Sequence, residues 1–209
     1  ASVALDLGTT ASFAAVTDFD ASDSTGGVTA VFANKAAAGT TAVSIKGGSG
    51  ADVYDISALT AANHGAVSLD LGAGNDTLVL NDKGAADFNL DGGAGTDTVT
   101  VSVASSVNLH GQISNFETLN STLAIADNTT TTLDMSNFAN NAFTTVAISG
   151  TVTAPAANAA DVFAVTNALD SVTTLKHNAL DLSDVSVTFA RLVDGTANAL
   201  TVAASANST

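Results

Sequence analysis

Apolar and polar residues alternate over much of this chain. Val67-Ser68-Leu69-Asp70-Leu71, Val99-Thr100-Val101-Ser102-Val103 and Val185-Ser186-Val187-Thr188-Phe189 each repeat with period two, the pattern of a strand with one buried and one wet face. Shorter runs of the same kind are Val107-Asn108-Leu109-His110-Gly111-Gln112-Ile113, Phe116-Glu117-Thr118-Leu119, Thr132-Leu133-Asp134-Met135 and Phe143-Thr144-Thr145-Val146-Ala147-Ile148. They recur at about the length of one solenoid coil. Asn115-Phe116-Glu117 and Asn137-Phe138-Ala139, 22 residues apart, read as the same corner one coil on. Helical spacing is confined to short stretches such as Ser57 to Asn63. Parity along the strands assigns Tyr54, Ile56, Leu78, Leu80, Val99 and Val101 to the inside, and Val53, Asp55, Thr77, Thr98 and Thr100 to the outside. Val79 is apolar on that outer side and is expected to touch another segment.

Three of the strands are preceded by glycine-rich loops of one design. Gly47-Gly48-Ser49-Gly50-Ala51-Asp52-Val53-Tyr54-Asp55 and Gly92-Gly93-Ala94-Gly95-Thr96-Asp97-Thr98-Val99-Thr100 fit the nonapeptide G-G-x-G-x-D-x-U-x, with U a large apolar residue. Leu71-Gly72-Ala73-Gly74-Asn75-Asp76-Thr77-Leu78-Val79 departs from it only at Leu71, where the first glycine would stand. Glycine allows positive φ and so a tight loop whose carbonyl oxygens turn to one side. The Asp adds charge. A hard cation such as Ca2+ takes about 6–8 oxygens at about 2.3–2.6 Å, carboxylates and carbonyls alike. One loop cannot supply that many; two stacked loops can.

Asp52 and Asp76 are 24 residues apart, and Asp76 and Asp97 are 21 apart. Both intervals are near one coil, so the loops are expected in a row on one side of a solenoid. A row of three loops has two gaps, hence about two shared calcium ions by the ligand count. The expected ligands are the carboxylates of Asp52, Asp76 and Asp97, with oxygens from Gly47, Ser49, Gly50, Gly72, Ala73, Gly74, Gly92, Gly93, Ala94 and Gly95. Asp76, in the middle loop, faces both gaps.

Two other acidic segments fit less well. Asp18, Asp20 and Asp23 precede Gly26-Gly27, but the glycine and closing glutamate of an EF-hand loop are misplaced, so a solvated loop is expected. Ala156-Ala157-Asn158-Ala159-Ala160-Asp161-Val162-Phe163-Ala164 keeps the Asp and the strand without the glycines. Alanine in the left-handed region costs about 1–2 kcal/mol, so Asp161 is not expected to hold calcium in the same way. Pro155, the only proline, precedes this segment as a corner would require.

Charge narrows the function. The chain has 20 acidic residues against 5 Lys and Arg, a net charge of −15, which would repel nucleic-acid phosphates. All the acids but Glu117 are Asp, a poor helix former and a good calcium ligand. A hydrophobic content of 46% argues against disorder despite that charge. No run of 18 apolar residues offers a membrane span. Cysteine is absent, which removes disulfides, thiol catalysis and zinc–thiolate sites. His64, His110 and His177 lie in no paired metal spacing, and no nucleophile elbow or phosphate loop is present. Without Trp, and with 5% aromatics, a sugar-stacking platform is poorly supported. The reading is therefore a protein that is not an enzyme. The first residues have no secretory-signal pattern, and the chain lacks a starting Met, as a processed or excised piece would.

The nonapeptides resemble the calcium-binding repeats of RTX proteins. That resemblance covers residues 45–103 and implies an all-β fold, a right-handed parallel β-roll with calcium loops along one side. The rest of the chain resembles bacterial surface-layer proteins in its low Lys and aromatic content, its Ala/Thr/Val/Ser/Asp-rich strands, and the segment Gln112-Ile113-Ser114-Asn115-Phe116-Glu117-Thr118-Leu119-Asn120. Such proteins are exported, commonly by a type I system, and assemble on the cell surface when calcium is present. The resemblance therefore implies a secreted structural domain whose partner is itself, with cell-surface polysaccharide reached through regions outside this chain. The rival readings are the calcium-binding tail of a secreted enzyme and a spacer of a large RTX adhesin. The organisation expected is a lead-in β segment over 1–44, the β-roll over 45–103, and a continuing solenoid over 104–209. For the last part a β-sandwich is the alternative.

Overall fold

In the computed structural model the described residues are 5–6, 16–32, 42–57, 66–80, 88–102, 112–138, 141–152, 161–178, 185–191 and 201–204. In chain order the strands are β1 (Leu5–Asp6), β2 (Asp18–Asp20), β3 (Val28–Val31), β4 (Val43–Lys46), β5 (Val53–Asp55), β6 (Val67–Asp70), β7 (Thr77–Leu80), β8 (Phe88–Asp91) and β9 (Thr98–Val101). They continue as β10 (Ile113–Ser114), β11 (Thr118–Ser121), β12 (Thr130–Asp134), β13 (Thr145–Ile148), β14 (Asp161–Ala168), β15 (Thr174–His177), β16 (Val185–Arg191) and β17 (Thr201–Ala204). One 3-10 turn, Met135–Phe138, follows β12. No helix among the described residues is long and apolar enough to cross a membrane.

Odd and even strands part company. All nine odd strands stack in sequence order into one sheet; β10, β8, β6, β4 and β2 form a second, and β12, β14 and β16 a third. The pairings are parallel in all three sheets. Parallel neighbours cannot be joined by tight hairpins, so the chain crosses to the opposite sheet between them. The result is a parallel β-solenoid, consistent with right-handed winding. The nine-stranded sheet runs from β1 through β17 without a break in pairing. The later residues therefore continue the solenoid, and the sandwich alternative, which needs antiparallel strands, does not describe them.

Register explains the core. Tyr54, Leu78, Val99, Leu119, Val146 and Leu175 occupy one row across the odd sheet, all at most 6% exposed. Ile45, Leu69, Leu90 and Ile113 form the facing row of the second sheet and are buried too. Each such side chain contributes about 1.5–3 kcal/mol by leaving water. The parity expectation holds: Tyr54, Ile56, Leu78, Leu80, Val99 and Val101 are inside, while Val53 is 38% exposed and Asp55, Thr77, Thr98 and Thr100 are half-buried outside. Val79 is half-buried rather than exposed.

Two details differ from the sequence reading or escape it. Thr118 pairs with Thr145, so the corner opposite Phe116 is Phe143, not Phe138. The 3-10 turn after β12 inserts Asn137 and Phe138 before that corner, and Phe138 packs edge-on against the Phe143 ring at 6.1 Å. The proposed helical stretch lies outside the described residues beyond Ser57, as do residues 107–111 of another predicted strand.

Candidate metal centre

The three glycine loops are stacked. Ala73 N–H donates to Gly48 O at 2.8 Å, Ala94 N–H to Gly72 O at 2.8 Å and Gly74 N–H to Ala94 O at 2.9 Å. Ala73 and Ala94 form an isolated parallel bridge. The stack therefore brings together Gly47, Ser49, Gly50, Gly72, Ala73, Gly74, Gly92, Gly93, Ala94 and Gly95, the predicted backbone donors. A fourth turn of chain lies on the same stack: Ser49 N–H donates to Ser24 O at 2.8 Å.

Glycine serves here in two ways. Gly72 and Gly93 take φ of +89° and +84°, a region that favours glycine. In the first loop the requirement is space, since a Cβ on Gly47 would lie 2.1 Å from Leu71 O and one on Gly48 2.1 Å from Ser24 O. Leu71 itself, in place of the first glycine, is fully buried in the core.

The aspartates behind the loops form a single file. Asp52, Asp76 and Asp97 are at most 1% exposed. Val28 N–H donates to Asp52 Oδ1, Asp52 N–H to Asp76 Oδ1 and Asp76 N–H to Asp97 Oδ1, each at 2.7 Å. Each carboxylate thus reaches back to the backbone of the preceding rung. The file then goes further than the glycines do. Asp97 N–H donates to Glu117 Oε2 at 2.7 Å. One coil on, Asn141 Oδ1 accepts Phe116 N–H at 3.0 Å while its amide donates to Phe116 O. Sequence reading missed Glu117 and Asn141 as members. A signal for Glu117 was present: Asp76-Thr77, Asp97-Thr98 and Glu117-Thr118 are one dipeptide pattern repeated at coil spacing.

The second oxygens decide what the file can do. Asp52 Oδ2 accepts Gly48 N–H at 3.0 Å. Asp76 Oδ2 and Asp97 Oδ2 are buried and have no hydrogen-bond partner. A buried anionic oxygen without a donor is costly. Burial first, then the neighbouring Asp52 and Asp97 carboxylates, pushes Asp76 up to about 6, against the opposing pull of the Asp52 N–H. Asp97 is raised as well, by burial first, with Glu117 and Asp91 adding repulsion. The buried Tyr54 hydroxyl is held above the usual phenol range by burial first, then by the Asp52 and Asp76 charges and its approach to the Asp52 carboxylate. Among the described residues the only ion pair joins Arg191 to Asp170, 3.8 Å apart, so no described Lys or Arg neutralises the file.

A cation held here would take the unpaired Asp76 and Asp97 oxygens as anionic ligands and glycine-loop carbonyls as neutral ones. Among the described residues no three His, Cys, Asp or Glu side chains gather as a metal cluster, so backbone oxygen is essential to any such site. An all-oxygen set of this kind suits a hard cation. Asp18, Asp20 and Asp23 are exposed, and Asp20 is held below its usual range chiefly by hydrogen bonds from Ser22, with Lys46 helping. His177 ends β15, away from the file, while His64 and His110 lie outside the described residues. No family model, curated protein or solved structure matches the chain.

Proposed function

We propose that this chain is a calcium-stapled structural β-roll that self-assembles at the bacterial cell surface, a lattice domain of surface-layer type. The observation that carries the metal half is the pair of buried, unpartnered oxygens on Asp76 and Asp97, set behind stacked glycine loops. Ca2+ would neutralise the file and tie successive rungs together. Burying like charges opposes folding when the cation is scarce, so the binding energy becomes folding energy. That would keep the chain unfolded in a low-calcium cytosol and fold it after export.

The assembly half is supported by shape and charge. Among the described residues β1 and β17 each have one strand neighbour in the nine-stranded sheet, and a solenoid sheet of this kind can be extended by pairing with another copy. The net charge of −15 keeps copies apart; bound calcium lowers that repulsion. The test is a calcium titration of the purified chain followed by light scattering and electron microscopy. Terbium in place of calcium adds a local reading, because Tyr54 is the only tyrosine and there is no Trp. Its sensitised emission would mark occupancy beside Asp52 and Asp76. Ordered filaments or sheets at millimolar calcium are expected. Binding without assembly at high protein concentration would instead favour the adhesin spacer or the enzyme tail. No binding at all would overturn the metal reading.

A further inference from the structure

A fully buried carboxylate lies away from the glycine loops. Asp161 opens β14 in the three-stranded sheet and has no exposed surface. Its Oδ1 accepts the Asn128 N–H at 2.7 Å, but its Oδ2 is buried without a hydrogen-bond partner. Asp127, the residue before Asn128, has a buried Oδ1 that also lacks a partner. The Asn128–Asp161 bond holds the turn that carries Asp127 against the start of β14, so each side of this contact bears a carboxylate with one oxygen shut off from water and from donors. The turn carrying Asp127 is held in place. Asn128 takes φ of +57°, the Thr129 hydroxyl donates to Ala126 O at 2.8 Å, and Val162 N–H donates to Thr129 O at 3.0 Å. No described Lys, Arg or His pairs with either acid.

We infer that Asp127 and Asp161 form a second site for a divalent cation of hard, calcium-like chemistry, separate from the glycine-loop row. Two carboxylates supply the charge, and loop carbonyls with water complete an all-oxygen shell. The site uses none of the nonapeptide glycines and does not depend on the row being occupied. Its position ties β12 to β14 at the start of their pairing, Thr130 with Val162. The competing arrangement is two buried acids with no metal between them, and substituting either would then leave calcium binding unchanged.

Calorimetry with calcium on the full chain separates these. Asp161→Asn keeps the Oδ1 acceptor for Asn128 and removes the charge. It should bind about one ion fewer than the unaltered chain. Asp127→Asn, at a half-buried turn position, should weaken that ion by about tenfold or more. Asp76→Asn should lose ions of the row and retain this one. Should Asp161→Asn fail to fold by circular dichroism, Asp127→Asn decides. A folded Asp127→Asn chain with the full ion count at unchanged affinity overturns the site, as does an unaltered chain that binds no calcium. An ion lost in Asp161→Asn and kept in Asp76→Asn sustains it even where the row proves empty.

Discussion

Asp76 stands between two other carboxylates, nearly without exposure, and its proton occupancy should govern the metal-free fold. Its folded pKa of about 6 lies above the ordinary value of 3.8. Between those values the folded chain binds more protons than the unfolded one, so stability falls as pH rises. The contribution is fully present below the unfolded value and is lost as pH passes the folded one. With calcium the direction reverses, since protons compete for the ligand. We predict that in chelator the folded fraction, read by circular dichroism, falls from pH 4 to pH 7, and that Asp76→Asn flattens this trend. A folded fraction that is constant or rises with pH in chelator would contradict the buried-anion account. The comparison with Asn matters because acid also lowers the overall net charge of −15. The three aspartates were legible in the sequence because glycines mark them at fixed offsets. Asn141 was not, because no glycine flags the amide that enters the file; Glu117 was marked only by the acid–Thr dipeptide it shares with Asp76 and Asp97, with Asn115 at φ +57° rather than a glycine before it.

Register shows how one file of hydrogen bonds passes from element to element. The outward row of the nine-stranded sheet reads Thr77, Thr98, Thr118, Thr145, Thr174 and Thr201, and the file lies just before it. After Glu117 the charge stops: Asn141, 3% exposed, accepts from and donates to the Phe116 backbone. A neutral amide can satisfy both groups where a carboxylate could satisfy only the N–H. Asn141→Ala should therefore strand two buried backbone groups, at about 1–3 kcal/mol each. Urea denaturation in calcium should show a loss of at least about 2 kcal/mol, and a change below about 0.5 kcal/mol would remove Asn141 from the file. The strands themselves were legible from period-two alternation, which fixes inside and outside directly. Coil phase was not, because the Met135–Phe138 turn adds residues between β12 and the next corner, and its buried Phe138 imitates the corner phenylalanine. Matching Asn-Phe pairs at 115–116 and 137–138 therefore pointed to the wrong partner.

A solenoid stacks rungs that touch mainly their neighbours, so damage should stay local. The first rungs hold the file of buried carboxylates among their apolar rows. The later ones, which bury Asp161 alone among the described acids, are packed by Phe143, Phe163, Val165, Met135 and Leu133, all at most 2% exposed. Arg191 ties β16 to the turn between β14 and β15 through the carbonyls of Leu169, Asp170 and Val172 at 3.1–3.3 Å, with its guanidinium 5.7 Å from the Phe189 ring. Those contacts are independent of the acid file. Asp76→Ala, studied with calcium present, should therefore release amide protection in β5, β7 and β9. β13, β14 and β15 should keep theirs. Hydrogen exchange resolved by peptide is the measurement, and opening of single cooperative units is what it detects. The loss should be largest at Asp52 and Thr77: Asp52 N–H bonds directly to the removed carboxylate, and Thr77 N–H bonds to Asp52 O at 2.8 Å. Equal loss of protection across β13 to β15 would mean that the chain folds as one cooperative unit, and the rung-by-rung account would then fail. Protection unchanged everywhere would show that neither the file nor its metal holds these rungs together.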